Sequence, residues 1–425
     1  MKFATMTSLP GRSAGLYAAI LLGSALLVPG APAQNELPRS SPELVGVSSQ
    51  RLGRIAEAIQ RHIDEHQISG AVTLLARKGF VVHFQAHGLA DLESNRPMTR
   101  ETVFKMASST KPVTGVAIMM LVEEGKVSLS DPVSRFIPEF KEMKVAVAKE
   151  GSSDVELVKA EREITIRDLL THTSGLAGGG PGTHKGSSQT LWPKADDTLG
   201  SHVPHFAHLP LDFQPGSKWQ YSGLAGIDTL ARVVEIASGQ SFDQFLQKRI
   251  FEPLGMTDTF FVVPEDRKDR MATIYRTGAK GLEHSDLTLN FPKTYFSGAG
   301  GLSSTAADYF RFGQMLLNRG TLDGHRLLAP RSVEIFSANH VGDLFTGQLG
   351  RPKGMGFGLT VEIVEDPVEA GTYRSAGSFG WDGAFGTHFW VDPESQVVGV
   401  LMIQTSVGRL VQRDFETAVM QAIVE

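Results

Sequence analysis

Phe104-Lys105-Met106-Ala107-Ser108-Ser109-Thr110-Lys111-Pro112-Val113 is the stretch on which the reading of this chain turns. Directly after it, Val113, Val116, Ala117, Met120 and Leu121 fall at i, i+3, i+4, i+7 and i+8, which predicts an α-helix with one apolar face. Gly125 supplies a stop after Glu124, and Pro112 is compatible with a first turn. Ser108 and Lys111 then lie one turn apart at the helix start, side by side. A serine hydroxyl is a weak nucleophile until a neighbouring base takes its proton. Lysine is such a base only as the neutral amine, which burial and the positive end of a helix dipole both favour. The free N–H groups of a helix start can also hold an oxyanion. Lys111 is the only lysine with a serine three residues before it. The pair alone is weak evidence, because a capping serine and a surface lysine share that spacing.

The 425 residues are 41% hydrophobic and 20% charged, ordinary for an enzyme with a substantial core. The net charge of −5 and the lack of a basic run speak against nucleic acid as a partner. Lys2 and Arg12, the apolar Ala14 to Val28 and the small-residue site Ala31-Pro32-Ala33 read as a secretory signal over residues 1–33. The apolar run is short of a membrane span and Pro29 interrupts it, so no stable membrane insertion is expected after cleavage. The expectation is an exported protein, periplasmic or secreted. With no cysteine there is no disulfide.

After a linker over residues 34–48, Ser49 opens a helix with Leu52, Ile55, Ile59 and Ile63 on one side. Gly70 to Ala76 and Phe80 to Ala86 read as strands of a hairpin. Lys144 to Val158 suggests an exposed hairpin, and Gly178 to Gly186 a mobile surface loop. Helices are predicted around Leu230 to Ala237, from Ser241, after Ser304 or Thr305, and through Leu410 to Ile423. Thr387 to Val391 and Val397 to Ile403 form a second hairpin. The fold class is therefore α/β (α+β), an antiparallel sheet built from both chain ends and flanked by helices. An all-helical region is inserted over roughly residues 112–295, within one domain over residues 49–425.

These landmarks also stand in a familiar order. Ser108-x-x-Lys111 is followed by Glu123-Glu124-Gly125-Lys126 and Asp131-Pro132-Val133. Then come Leu169-Leu170-Thr171-His172-Thr173-Ser174-Gly175-Leu176, Tyr221-Ser222-Gly223 and Trp381-Asp382-Gly383. From Ser49 to Gln404 the chain resembles the serine β-lactamase and penicillin-binding-protein superfamily, in particular its class C β-lactamase-like branch with the family VIII carboxylesterases. The resemblance implies that Ser108 is the acylated nucleophile, Lys111 its activating partner and Tyr221 the proton relay. It implies an oxyanion hole from the backbone N–H groups of Ser108 and Ala384, with Trp381, Asp382 and Gly383 binding substrate. No metal or organic cofactor is implied.

Two departures narrow the substrate. The superfamily's second motif is Tyr-x-Asn, but Gly223 replaces the asparagine; its third motif carries Lys or His, but Trp381 stands there. Losing the amide and the cation disfavours a dedicated β-lactamase or peptidase and resembles the esterase branch. Asp382 is expected to repel anionic substrates. Small or medium carboxylic esters are the expected substrates; β-lactamase, D-amino-acid peptidase and acyl transferase remain alternatives, as does a non-catalytic module binding peptidoglycan or a partner. Oligomeric state is not legible. His202, His205 and His208, and His62 with His66, read as surface or pocket-rim residues in preference to metal ligands. His172 reads as a buried structural residue, and Ala376-Gly377-Ser378-Phe379-Gly380 as a turn before a strand and not a nucleophile elbow.

Overall fold

The computed structural model describes residues 37–149, 154–186, 191–279, 281–406 and 409–425. The expected signal segment, residues 1–33, lies outside them.

Among the described residues, the chain's two ends meet in one antiparallel sheet of eight strands. Gly70–Arg77 (β1), Phe80–Asp91 (β2) and Arg96–Pro97 (β3) come from the N-terminal part. Met355–Phe357 (β4), Glu362–Val364 (β5), Phe379–Asp382 (β6), His388–Asp392 (β7) and Val397–Met402 (β8) come from the C-terminal part. The order is β4-β5-β6-β7-β8-β1-β2-β3, and the two contributions join where Val72 pairs with Met402 and Arg77 with Val397. β1 and β8 are buried along their whole length, so both faces are apolar. Their alternation assigns each face to a different core. Ala71, Leu75, Val397 and Leu401 face a layer made by Ser49–Asp64 (α1) and Leu410–Met420 (α5). Val72, Leu74, Val398 and Val400 face the larger core.

The larger core contains Lys111–Glu123 (α2), Ala225–Ser238 (α3) and Ala306–Leu317 (α4). The predicted stop of α2 holds: Glu124 is its C-cap and Gly125 has φ 68°. Its single apolar face does not hold, because every residue from Lys111 to Leu121 is buried. Ile118 and Met119, off the predicted stripe, pack into the same core, since the helix runs through the interior and not along a surface. The inserted region also carries two short hairpins, Lys144–Ala148 with Val155–Lys159 and Tyr275–Gly278 with Gly281–His284. The first is where the alternation predicted one.

Candidate active site

Ser108 lies in a 3-10 turn, Ala107–Thr110, that leads into α2, and Lys111 is the first residue of that helix. Ala107 has φ 45°, a left-handed backbone unusual for a residue with a Cβ. The turn is pinned from several sides. Ser109 N–H donates to Met106 O at 3.0 Å and Met106 N–H to Leu302 O at 2.9 Å. Thr387 Oγ1 donates to Met106 O at 3.1 Å, and the Ser109 and Thr387 hydroxyls are 2.9 Å apart.

Lys111 is fully buried. Its Nζ donates to Gly223 O at 2.8 Å and to Ala299 O at 2.7 Å, and lies 3.2 Å from Ser108 Oγ. A neutral amine has two N–H donors and one lone pair. With the donors committed to two carbonyls, the lone pair of that amine faces the serine hydroxyl. Tyr221 O–H donates to the same Oγ at 2.7 Å, and Nζ stands 5.1 Å from the centre of its ring. The serine oxygen thus sits between a base and a phenol, geometry suited to nucleophilic catalysis with proton relay.

Ser108, Tyr221 and Ala384 line a cavity of about 440 Å³. Its other walls include Ala177, Leu224, Trp192 and Phe291, the last two stacked at 6.0 Å. Among the described residues that line it, none is charged. After β6 the chain turns back on itself: Gly383 N–H donates to Thr387 O at 2.7 Å and Gly386 N–H to Gly383 O at 2.9 Å. That turn leaves the N–H of Ala384, exposed at its tip, unused by the hairpin and at the same cavity as Ser108.

The other three residues expected to bind substrate are placed elsewhere. Trp381 is 3% exposed and does not line the cavity; it packs behind Tyr221 at 5.7 Å and against Phe357 at 5.3 Å. Its strand aims it into the core, where it buttresses the phenol. Asp382 is also turned away. Arg351 and Arg409 donate to it at 2.8 and 2.9 Å, and His388 Nδ1 lies 2.5 Å from it. Burial opposes its charge, but Arg409, His388 and Arg351 outweigh that and hold its pKa well below the carboxylate range. A carboxylate so neutralised is not a repulsive charge facing substrate. Gly383 is buried under the Met106–Ser109 turn and has no side chain to offer.

The glycine-rich stretch expected to be a mobile loop is folded against Asp212 over its described residues. That carboxylate accepts from Gly178 N–H at 2.7 Å, Thr183 N–H at 2.8 Å and Thr183 Oγ1 at 2.7 Å. The glycines there admit close approach, since a Cβ on Gly180 would press on the Asp212 side chain.

His172 is buried as expected, its Nδ1 accepting from Ser222 N–H at 3.2 Å, its ring 4.7 Å from that of Tyr221. Burial above all pushes its pKa well below the ordinary histidine value. His202 is buried and paired with Asp197 at 3.1 Å, a carboxylate the sequence spacing did not reveal. His62 lies between Gln67 and Asp414. Ser378 sits in a turn closed by its N–H on Ser375 O, just before β6.

Sequence reasoning missed Asp228. Fully buried in α3, it accepts from Tyr295 O–H and Ser297 O–H at 2.8 Å each and Ala299 N–H at 3.0 Å. It thereby fixes the segment whose Ala299 carbonyl holds Lys111. Burial pushes its own pKa up to about 6 against those hydrogen bonds. Its partners all lie on the 295–299 segment, some seventy residues on in sequence, so no local signal could have found it.

The Beta-lactamase family profile matches residues 55–420. The chain belongs to the beta-lactamase family. Within that family it is 37% identical to protein Rv1367c of Mycobacterium tuberculosis, over 82% of this chain and 88% of that one. It is 32% identical to esterase EstB of Burkholderia gladioli, over 83% of this chain and 90% of that one. Among solved structures, EstCE1, a hydrolase with promiscuous acyltransferase activity, superposes with a TM-score of 0.74 at 30% identity, covering 87% of this chain and 99% of that chain. This beta-lactamase-family protein is a serine hydrolase with a mixed α/β fold, and its relatives include esterases.

Proposed function

We propose that the protein is an exported carboxylesterase that acts on small to medium esters through an acyl-enzyme on Ser108. The observation that carries this reading is the Ser108 hydroxyl, between Lys111 and Tyr221, at an apolar cavity whose described lining has no charged side chain. A neutral ester loses little on entering such a space. A substrate carboxylate would be desolvated there without a partner, which argues against a dedicated β-lactamase or D-amino-acid peptidase. The likeness to EstB supports the same reading.

Ser108 gives its proton to Lys111 Nζ as Oγ attacks the ester carbonyl. The developing oxyanion is held by the N–H groups of Ser108 and Ala384. As the C–O bond breaks, the leaving alkoxide takes the Tyr221 proton, and Lys111 returns a proton to the phenolate. Water then repeats the sequence in reverse sense, with Tyr221 or Lys111 as base, releasing the acid and free serine. An alcohol replacing that water gives acyl transfer from the same intermediate, a second outcome that the likeness to EstCE1 favours. Export rests on Lys2, Arg12, the apolar Ala14 to Val28 and Ala31-Pro32-Ala33. Among the described residues no helix is long and apolar enough to cross a membrane.

The test is p-nitrophenyl butyrate hydrolysis by the wild type and by Ser108→Ala. Turnover in the wild type that falls at least about 10³-fold in the variant is expected. A wild type inert on neutral esters but active on a β-lactam or D-alanyl peptide would overturn the esterase reading. Activity unchanged in Ser108→Ala would remove Ser108 from the chemistry.

A further inference from the structure

A second cavity, of about 520 Å³, shares no lining residue with the first. Its walls carry four guanidinium groups, those of Arg351, Arg374, Arg409 and Arg413, against one acid, Glu416. Three of the arginines belong to a buried ionic cluster. Arg351 and Arg409 hold Asp382, Arg409 also reaches Glu362 at 3.3 Å, and Arg374 donates to Glu362 at 3.3 Å. His388 lies between Asp382 and Glu416; burial works against its protonation, but the two carboxylates outweigh that and raise its pKa. Glu362, Asp382 and Glu416 are therefore outnumbered by the cations around them.

Arg374 is 2% exposed, yet its Nε and Nη1 have no hydrogen-bond partner; Glu416 Oε1, 3.7 Å from Nη1, makes no hydrogen bond either. Among the described residues, Arg413 makes no side-chain hydrogen bond or ion pair, although it borders the cavity. The first turn of α5, at Leu410, adds the positive end of its dipole. A buried guanidinium with donors lacking acceptors is costly, and carboxylate and phosphate oxygens both match its donor geometry. Met355, Pro352 and Leu410 give the remaining wall an apolar character.

We propose that this cavity binds a small organic anion carrying a phosphate or carboxylate group, at a site separate from Ser108. The arginines take the head group and the apolar wall takes the body of the molecule.

Isothermal titration of the full chain with inorganic phosphate and, separately, with succinate, at constant ionic strength in chloride, tests it. Saturable one-site binding of at least one probe is expected, with a Kd of about 1 mM or tighter. Arg413→Ala weakens it about tenfold, Arg413→Lys, which keeps the charge but not the fork, weakens it less, and Ser108→Ala leaves it unchanged. Arg413 is exposed and unpaired, so the variants should melt as the wild type does, which circular dichroism checks. The probe that binds more tightly identifies the head group. No saturable binding of either probe up to about 20 mM would overturn the proposal. So would an Arg413→Ala protein that binds like the wild type, or binding lost in Ser108→Ala, which would place the anion in the catalytic cavity.

Discussion

Gly383 lies against the carbonyl of Met106 so closely that a Cβ on it would collide with that oxygen and with Thr387 Oγ1. This contact fixes the end of β6 on the turn that carries Ser108, and the next residue is Ala384. The two N–H groups proposed for the oxyanion are thus set by one backbone-to-backbone approach. Gly383→Ala should destabilise the protein by about 1–3 kcal/mol through overpacking. Esterase kcat/KM should fall about 100-fold as the Ala384 N–H is displaced. Urea unfolding and p-nitrophenyl butyrate kinetics measure the two effects. Normal kinetics in a folded variant would show that the approach does not position the hole.

Asp382, the last residue of the same strand, is the meeting point of Arg351, Arg409 and His388. Removing it leaves those cations without their shared partner. Asp382→Ala should cost about 3–5 kcal/mol of stability, read as a lower urea midpoint. It should bring no gain on carboxylate-bearing esters over neutral ones. Such a gain would restore Asp382 as a charge that substrate meets.

At Gly223 there is room where the superfamily carries asparagine. A Cβ there would have only Tyr221 Cε1 nearby, at 3.9 Å, and the position lines the catalytic cavity. Gly223→Asn should fold normally, with Tm within about 2 °C of wild type. The added side chain takes up cavity volume, so kcat/KM for p-nitrophenyl octanoate should fall more than for the acetate. Equal losses on both would mean that the acyl chain lies elsewhere.

His83, in β2, is buried beside Thr73 Oγ1 at 2.8 Å. Burial first, then the nearby His87 and Arg100 charges, lower its pKa to about 3. Above the ordinary histidine value it is neutral folded or unfolded and contributes no pH dependence. As pH falls from about 6.5 towards 3 the unfolded chain takes up a proton that the folded chain refuses, so stability is lost, by up to about 1.4 kcal/mol per pH unit. The raised carboxyls of Asp228, at about 6, and Asp308, at about 7, act in the opposite direction, so the difference between variant and wild type is the informative quantity. Urea unfolding at pH 7, 6 and 5 should show a smaller acid loss in His83→Gln. An identical slope would remove His83 as its source.

The sequence by itself marked most of these elements and, through a family resemblance, pointed to Ser108, Lys111 and Tyr221. Apolar runs joined by turn residues marked β1, β2, β7 and β8, helical spacing and capping residues marked α1 to α5, and the family resemblance singled out Ser108, Lys111 and Tyr221 before any coordinates. These signals are local, because periodicity and spacing need no knowledge of distant neighbours. What Trp381, Asp382, Asp212 and Asp228 do was decided by tertiary structure. Each faces a partner distant in sequence: Phe357 and Tyr221 for Trp381, Arg351 and Arg409 for Asp382, Gly178 and Thr183 for Asp212, Ser297 and Ala299 for Asp228. A carboxylate's effect depends on which charges and donors surround it and how far water is excluded. In this chain those surroundings exist only once segments distant in sequence have packed against one another.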